Sequence, residues 1–477
     1  MKYSLTFLLL FTTAAHAKTW LVGPTRQYTA PSAVANSPLL ADGDTVLVDS
    51  GTYVGDVATW SKNNLVLRCP NGMARFNADG NIADLKGIWV VYGKNTYVEG
   101  FEFYGAAIDS ADGDNGAGIR VQGDGFTCRR CYFHDNQEGI LTGNDTTDND
   151  ILIEACEFDH NGVETGGAAG FEHNIYVGLC SSCTIKFCYF HASIVGHEVK
   201  CRANVSYILY NYIVDGPTGD GSLSIDIPQG GLAFVMGNII EKGPMTANST
   251  VIGYGEEWPQ GKFNPDSEFY FVNNTIVTDR NPTIYFEIQP GTKTALIANN
   301  IFAGTAHPII GFTDTESNVF NVDTSFFHFA NPGSYDYHTY GFPGFTNAVQ
   351  LGTVDGFSLK PTSEYAFPPL DSEQRINTLF EVGAIEYIVG TRSVSENLKK
   401  AISINFPNPF SSETIFPNIS GPLKLFNICG KEMNVTTQQT KNGLVLERGN
   451  LPAGIYFYRI SEAGRGTQAE GSVVIGN

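Results

Sequence analysis

Large apolar residues recur through the middle of the chain at Phe103, Phe133, Phe158, Phe190, Ile213, Ile240, Ile276 and Phe302. The intervals are 30, 25, 32, 23, 27, 36 and 26 residues. Two positions before them stand Phe101, Cys131, Cys156 and Cys188, then Asn211, Asn238, Asn274 and Asn300. A variable period of roughly 27 residues with fixed inward positions is the mark of a solenoid, whose coils bury their apolar faces only against one another. Within each period apolar and polar residues alternate with period two, so the coils are built of strands. GIRV, GILT, NIYV, EVKC, LSID and TIYF are expected as one set. FTCRRCYF, DILIEACEF, CTIKFCYF, SYILYNYI and LAFVMGNII are expected as second strands, with Gly, Asn and Asp at the corners.

Parallel coils stack about 4.8 Å apart, so equivalent residues meet. Stacked asparagines then hydrogen-bond along the helix axis, and buried cysteines pack as small apolar groups. This reading sets aside disulfides and metal for Cys131, Cys156 and Cys188, and makes Cys180 and Cys183 a turn feature, since no second cysteine pair completes a zinc site. Nine cysteines is in any case an odd number.

Taken in order, residues 1–17 read as a signal peptide, with Lys2, an apolar run through Leu5–Phe11 and a small-residue exit at Ala15-His16-Ala17. No later apolar run reaches the roughly 18 residues of a transmembrane segment, so an exported protein without one is expected. SAVANSPLL is placed as an amphipathic cap over the open end of the stack, and GDTVLVDSGTY as the first strand and turn. Regular coils are expected from about Asn64 to Gly304, a less regular ending through Phe345–Glu386, and a polar linker over 388–401.

GDTVLVDSGTY, the stacked coils and the ending DGFSLKPTSEY…VGAIEY resemble right-handed parallel β-helix proteins of the pectate-lyase-like superfold. The resemblance covers Lys18–Tyr387 and implies an all-β fold class, a right-handed parallel β-helix solenoid. Within that group NQEGILTGND, HNIYVG, GHEVKCRA, LSIDIPQGG and VIGYGEE resemble bacterial secreted β-helix proteins. The superfold hosts lyases, hydrolases, epimerases and adhesins, so fold alone leaves the activity open. Alginate and chondroitin lyases of this fold are similar in placing a lysine base and an arginine on the helix face, though their flanking motifs do not match. The tail, with INFPNPF, LKLFNICGKEM, LPAGIYFYRI and GSVVIGN, resembles the C-terminal sorting domain of type IX secretion. That resemblance implies a Bacteroidota-like source, the type IX secretion machinery as partner, and a secreted or cell-surface attached product. Residues 402–477 are accordingly expected as a small β-sandwich without chemistry of its own.

The formal net charge is −20, which argues against nucleic acid as a partner because no basic block offsets it. It leaves an acidic polysaccharide open as substrate, since a local basic patch can dominate a site. His173–Arg202 supplies one. With Ile119, Ile140, Ile175, Val199 and Ile225 inward, Arg120, Leu141, Tyr176, Lys200 and Asp226 form one outward column. Gln122, Gly143, Gly178 and Arg202 form the next, and Asn174 and Glu198 are expected to flank it on the outer face. Cleaving a uronate polymer by β-elimination needs a cation on the carboxylate and a base for the adjacent C–H. Arg202 suits the first task, being permanently charged and planar. Lys200, Tyr176, His173 or His197 suits the second, and Asn174, Glu198, Asp226 and Arg120 would bind substrate. The quieter reading makes Lys200–Asp226 and Glu198–Arg202 surface ion pairs and the histidines turn caps.

Two other functions remain open at this level. A glycoside hydrolase would need a carboxylate pair, for which Glu198 and Asp226 are the candidates. A carbohydrate-binding or adhesive β-helix would need neither. The acidic loops Asp109–Asn115 and Asn144–Asp150 offer oxygens for Ca2+ but lack EF-hand spacing, so no metal ligand is assigned. A monomer is expected.

Overall fold

The computed structural model describes residues 17–144, 149–165, 169–310, 314–339, 348–366, 371–375, 381–386, 410–417, 420–427, 431–441, 443–462 and 466–475. The expected signal peptide before Ala17, the linker, most of INFPNPF and the centre of the second acidic loop lie outside these residues. The chain divides into two compact units, Met1–Tyr387 and Ile388–Asn477.

The first unit is a right-handed parallel β-helix with three long parallel sheets of twelve, eleven and ten strands. Each coil carries three strands rather than two. The stretch expected as the single strand FTCRRCYF is split into Phe126–Arg129 and Tyr132–His134. Its chain bends at Arg130, whose φ is 49°. The same left-handed residue recurs in coil after coil, as Ala155, Phe187, Tyr210, Asn273 and Asn299. One residue in that region turns the chain, at about 1–2 kcal/mol for a residue with a side chain. In the later coils, from Tyr210 on, the asparagine that follows the corner offsets part of this cost. Asn211 Nδ2 donates to the carbonyl oxygen of Ile185 at 2.9 Å and to Asn238 Oδ1 at 2.9 Å, and Asn238, Asn274 and Asn300 continue the ladder.

The apolar ladder pairs in the expected register, from Phe103 against Phe133 to Ile276 against Phe302. Phe76, Phe103, Phe133, Phe158 and Phe190 stack nearly parallel, with centroids 4.7–5.4 Å apart. All eight described cysteines are buried and free. The coils begin earlier than expected. Thr19–Val22 already pairs with Thr45–Val48, and the cap is the single helical turn Pro31–Ala35, with Val34 buried.

The irregular ending wraps the solenoid. Phe327, Tyr337, Tyr365, Val382 and Ile385 pack on Tyr212, Ile239 and Ile301 outside the eleven-stranded sheet. Leu351, Val354, Phe357 and Leu359 pack on Tyr207, Phe234 and Tyr270 outside the twelve-stranded one. Among the described residues no apolar cluster covers the outer face of the ten-stranded sheet. The second unit comprises antiparallel sheets of three and four strands around one core that includes Phe416, Leu425, Leu446, Tyr458 and Val473. Among the described residues no helix is long and apolar enough to cross a membrane.

Candidate active site

The uncovered sheet contains Ala117–Val121, Glu138–Thr142, Ile175–Val177, Val199–Cys201, Ile225–Ile227 and Thr250–Tyr254. Its register sets Arg120 beside Leu141, Leu141 beside Tyr176, Tyr176 beside Lys200, and Lys200 beside Asp226. The next rung places Gly253 beside Asp226. In the neighbouring column Gly178 is sterically required, because a Cβ there would lie 2.5 Å from the Gly143 carbonyl oxygen. Bare backbone therefore borders Arg202.

Asp226 organises one end of the cluster. Its Oδ2 lies 3.1 Å from Lys200 Nζ and 3.3 Å from His197 Nε2, while Oδ1 is buried without a hydrogen-bond partner. Burial raises its carboxyl above the usual range, against the pull of Lys200. His197 Nδ1 accepts the Leu223 N–H at 3.1 Å, and His173 Nδ1 accepts the His197 N–H at 2.9 Å. These bonds assign the proton of each neutral ring to Nε2. The rings stack at 4.6 Å, and burial, with Lys200 adding, holds both well below the ordinary histidine range. Neither imidazole presents a free lone pair to the sheet face, so both act by position.

Arg202 organises the other end. Its Nε donates to Glu257 Oε2 at 3.1 Å, Nη2 pairs with Glu257 Oε1, and Nη1 donates to Tyr176 Oη. The guanidinium also lies over the Tyr176 ring, 4.7 Å from its centroid. Gln229 Nε2 donates to Glu257 Oε2 at 3.0 Å. Burial works to raise the Glu257 carboxyl, but these donors outweigh it and hold it below its usual range. Because Arg202 occupies the Tyr176 oxygen as donor, the phenolic proton is left to point elsewhere.

Glu256 completes the site from the same loop. Burial, then the nearby charges of Asp226 and Glu287, push its carboxyl up to about 7. It reaches the sheet face only because Gly253 has no side chain, since a Cβ there would lie 2.6 Å from Glu256 Oε1. Beside Tyr176 and Arg202 opens a cleft of about 570 Å³, lined also by Asn144, Asn204, Gln229 and the loop from Gly261 to Pro265.

The structure thus brings together Tyr176, Lys200, Arg202, Asp226 and His197, with His173 stacked behind. It does not bring Asn174 or Glu198 to the outer face. Both are 0 % exposed, inside a second polar ladder that runs Asn136, Asn161, Asn174, Glu198. The strands there are only three residues long, so alternation ends one residue earlier and these side chains turn inward. Burial, with Asp215 adding, pushes Glu198 up to about 8. The Glu198–Asp226 pair required for hydrolysis is therefore absent, and Glu198 does not pair with Arg202. Arg120 lies three rungs from Lys200, about 14 Å along the stack, outside the immediate cluster. It faces the buried Glu138, whose Oε2 accepts the His173 N–H at 3.1 Å. Glu256, Glu257, Gln229 and Glu138 complete the surroundings without having shown in the strand pattern. VIGYGEE carried the one signal, a glycine in the outward column just before two glutamates.

The acidic loop Asp109–Asn115 is a single 3-10 turn with its carboxylates exposed or half-exposed. Among the described residues no group of three or more His, Cys, Asp or Glu side chains converges on a metal position.

No family model and no curated protein matches the chain. Among solved structures it is similar to pectate lyase Pel9A, at 13% identity and a TM-score of 0.44, over 78% of this chain and 96% of that one. It is also similar to a mutant pectin methylesterase in complex with a hexasaccharide, at 11% identity and a TM-score of 0.34, over 49% of this chain and 81% of that one. At these identities the likeness is one of fold.

Proposed function

We propose that the protein is an exported polysaccharide lyase that cleaves a uronate-containing glycan by β-elimination. The observation that carries this reading is the placement of Tyr176, Lys200 and Arg202 on adjacent rungs of the ten-stranded sheet, beside an open cleft. Arg202, braced by Glu257, meets the uronate carboxylate and stabilises the charge that develops when the neighbouring C5–H is broken. Lys200, as the free amine, takes the C5 proton. The electron pair of that bond forms the C4=C5 double bond as the C4–O4 bond breaks. Tyr176 gives its proton to the departing oxygen. The neutral Nε2–H of His197 keeps Asp226 in place through the cycle.

The antiparallel unit is read as a type IX sorting domain on the motifs quoted above, with release or surface attachment as its outcome and no part in the chemistry.

The test is incubation of the purified chain with a panel of acidic glycans, following ultraviolet absorbance from the new double bond. New reducing ends without that absorbance would indicate hydrolysis instead, with Asp226 and the raised Glu256 as the carboxyl pair. Retention without turnover would indicate a binding protein.

A further inference from the structure

The loop from Glu256 to Pro265 is built to hold something at the cleft. Its backbone is tied to the preceding coil, with Glu257 N–H donating to the Pro228 carbonyl oxygen at 2.8 Å and Asn264 N–H to that of Gln229 at 2.9 Å. The Asn264 side-chain amide donates to the Ala203 and Gly230 carbonyl oxygens, each at 2.9 Å. The Trp258 indole N–H donates to the Gln229 carbonyl oxygen at 2.9 Å. A Cβ at Gly230 would lie 2.6 Å from the Trp258 ring, so glycine lets the indole close down there. A loop anchored at this many points nevertheless leaves Phe263 68 % exposed, with Lys262 beside it, both lining the cleft.

Fixed backbone with an uncovered aromatic tip is unfavourable for folding alone, because the ring gains nothing from burial. It suits the apolar face of a pyranose ring. The charges are complementary as well. In a chain of net charge −20, the described residues that line the cleft include two cations, Arg202 and Lys262, and no carboxylate, with Glu257 paired to Arg202 behind them. The cleft floor runs past Asn144, Leu179, Asn204 and Gln229, which follow strands of four successive coils, so it spans several rung spacings of about 4.8 Å. That is the length of an oligosaccharide rather than of one ring.

We propose that Phe263 and Lys262 form a subsite for an anionic sugar residue adjacent to the one held at Arg202, with the ring stacked on Phe263 and its carboxylate on Lys262. The proposal rests on the lyase reading for its substrate class, and adds that the protein acts within acidic chains and needs more than one uronate for tight binding.

The test uses the full chain and, as probes, oligomers of galacturonate, oligomers of mannuronate and a neutral cello-oligomer, with binding measured by calorimetry. Phe263→Ala should weaken the acidic oligomer that binds by about tenfold or more. Lys262→Ala should weaken it while leaving the neutral oligomer unchanged. Leu39→Ala, at an equally exposed residue just beyond the cap, should change nothing. Both ring and charge are so exposed that neither substitution threatens folding, which an unchanged thermal midpoint would verify. Unaltered affinity in both variants, with the acidic oligomer still bound and cleaved, overturns the subsite and leaves the lyase reading intact. Failure of every acidic oligomer to bind or be cleaved overturns both.

Discussion

Two lysine–aspartate pairs lie within the same coils and differ in what surrounds them. Lys242 is 0 % exposed, donates to the Ser222 carbonyl oxygen and stands 3.7 Å from Asp215 Oδ2. Glu241 and Glu198 act on the same buried group. Lys200 stands 3.1 Å from Asp226 but keeps 13 % of its side chain exposed, on a face that no apolar cluster covers among the described residues. The first pair is sealed, so its charges can only trade protons with one another and resist burial. The second has a guanidinium, a phenol and a cleft within reach. A lysine–carboxylate pair by itself is thus no sign of chemistry. Solvent access and a second, differently charged group beside it are what separate the two.

Arg202→Ala should have the largest effect. Turnover should fall by about two orders of magnitude or more, with the fold retained. Lys200→Arg, which keeps the charge but loses the proton acceptor, should fall comparably. Steady-state rates with circular dichroism of each variant check both, and near-normal turnover in either would erase the distinction drawn above.

Lys242→Ala should do the reverse. Leaving Asp215 and Glu241 buried without their cation should cost about 3–5 kcal/mol of stability, while the turnover of the protein that remains folded is unchanged. Denaturant unfolding read beside kcat separates the two effects.

The sealed pair also predicts a pH dependence. Burial pushes Glu198 and Glu241 up to about 8 and Asp215 to about 6. His191, raised to about 9 by Asp159 and Glu157 against burial, acts in the same direction. A carboxyl raised in the folded state gives up its proton first in the unfolded one, so its contribution falls as pH rises toward its folded value. The stability from a raised histidine is likewise lost as pH rises through about 9. His173 and His197 are neutral in the folded state, and well above about pH 6.5 they are neutral in the unfolded state too and add nothing there. Lys242, whose ammonium is weakened by burial, opposes the trend only at the alkaline end. Thermal midpoints should therefore decline from about pH 6.5 to pH 9. The smallest effect expected is from Glu198→Gln, which should flatten part of that decline and leave activity untouched, since the side chain lies in the ladder and not on the face.

The stacking was legible because strands carry a period of two and coils bring like residues together. Phe103, Phe133 and Phe158, and the column from Arg120 to Asp226, could be registered from spacing alone. The third strand of each coil was not, because the corner at Arg130 or Phe187 needs one left-handed residue and no glycine marks it. Asn174 and Glu198 were misplaced because the alternation stops with the three-residue strands, and at a corner the neighbouring polar ladder decides which way a side chain turns. Glu257 reaches Arg202 across 55 residues from a loop with no period of its own. VIGYGEE marks an acidic corner, but nothing in its spacing says which strand that corner reaches.

The most direct measurement follows ultraviolet absorbance on the acidic glycan that the wild-type chain cleaves, comparing it with the variant carrying both Lys200→Ala and Arg202→Ala. The account predicts that absorbance grows with the wild type and is abolished in the variant, whose thermal unfolding remains cooperative. A folded double variant that still produces the double bond at the wild-type rate would place the chemistry elsewhere on the molecule.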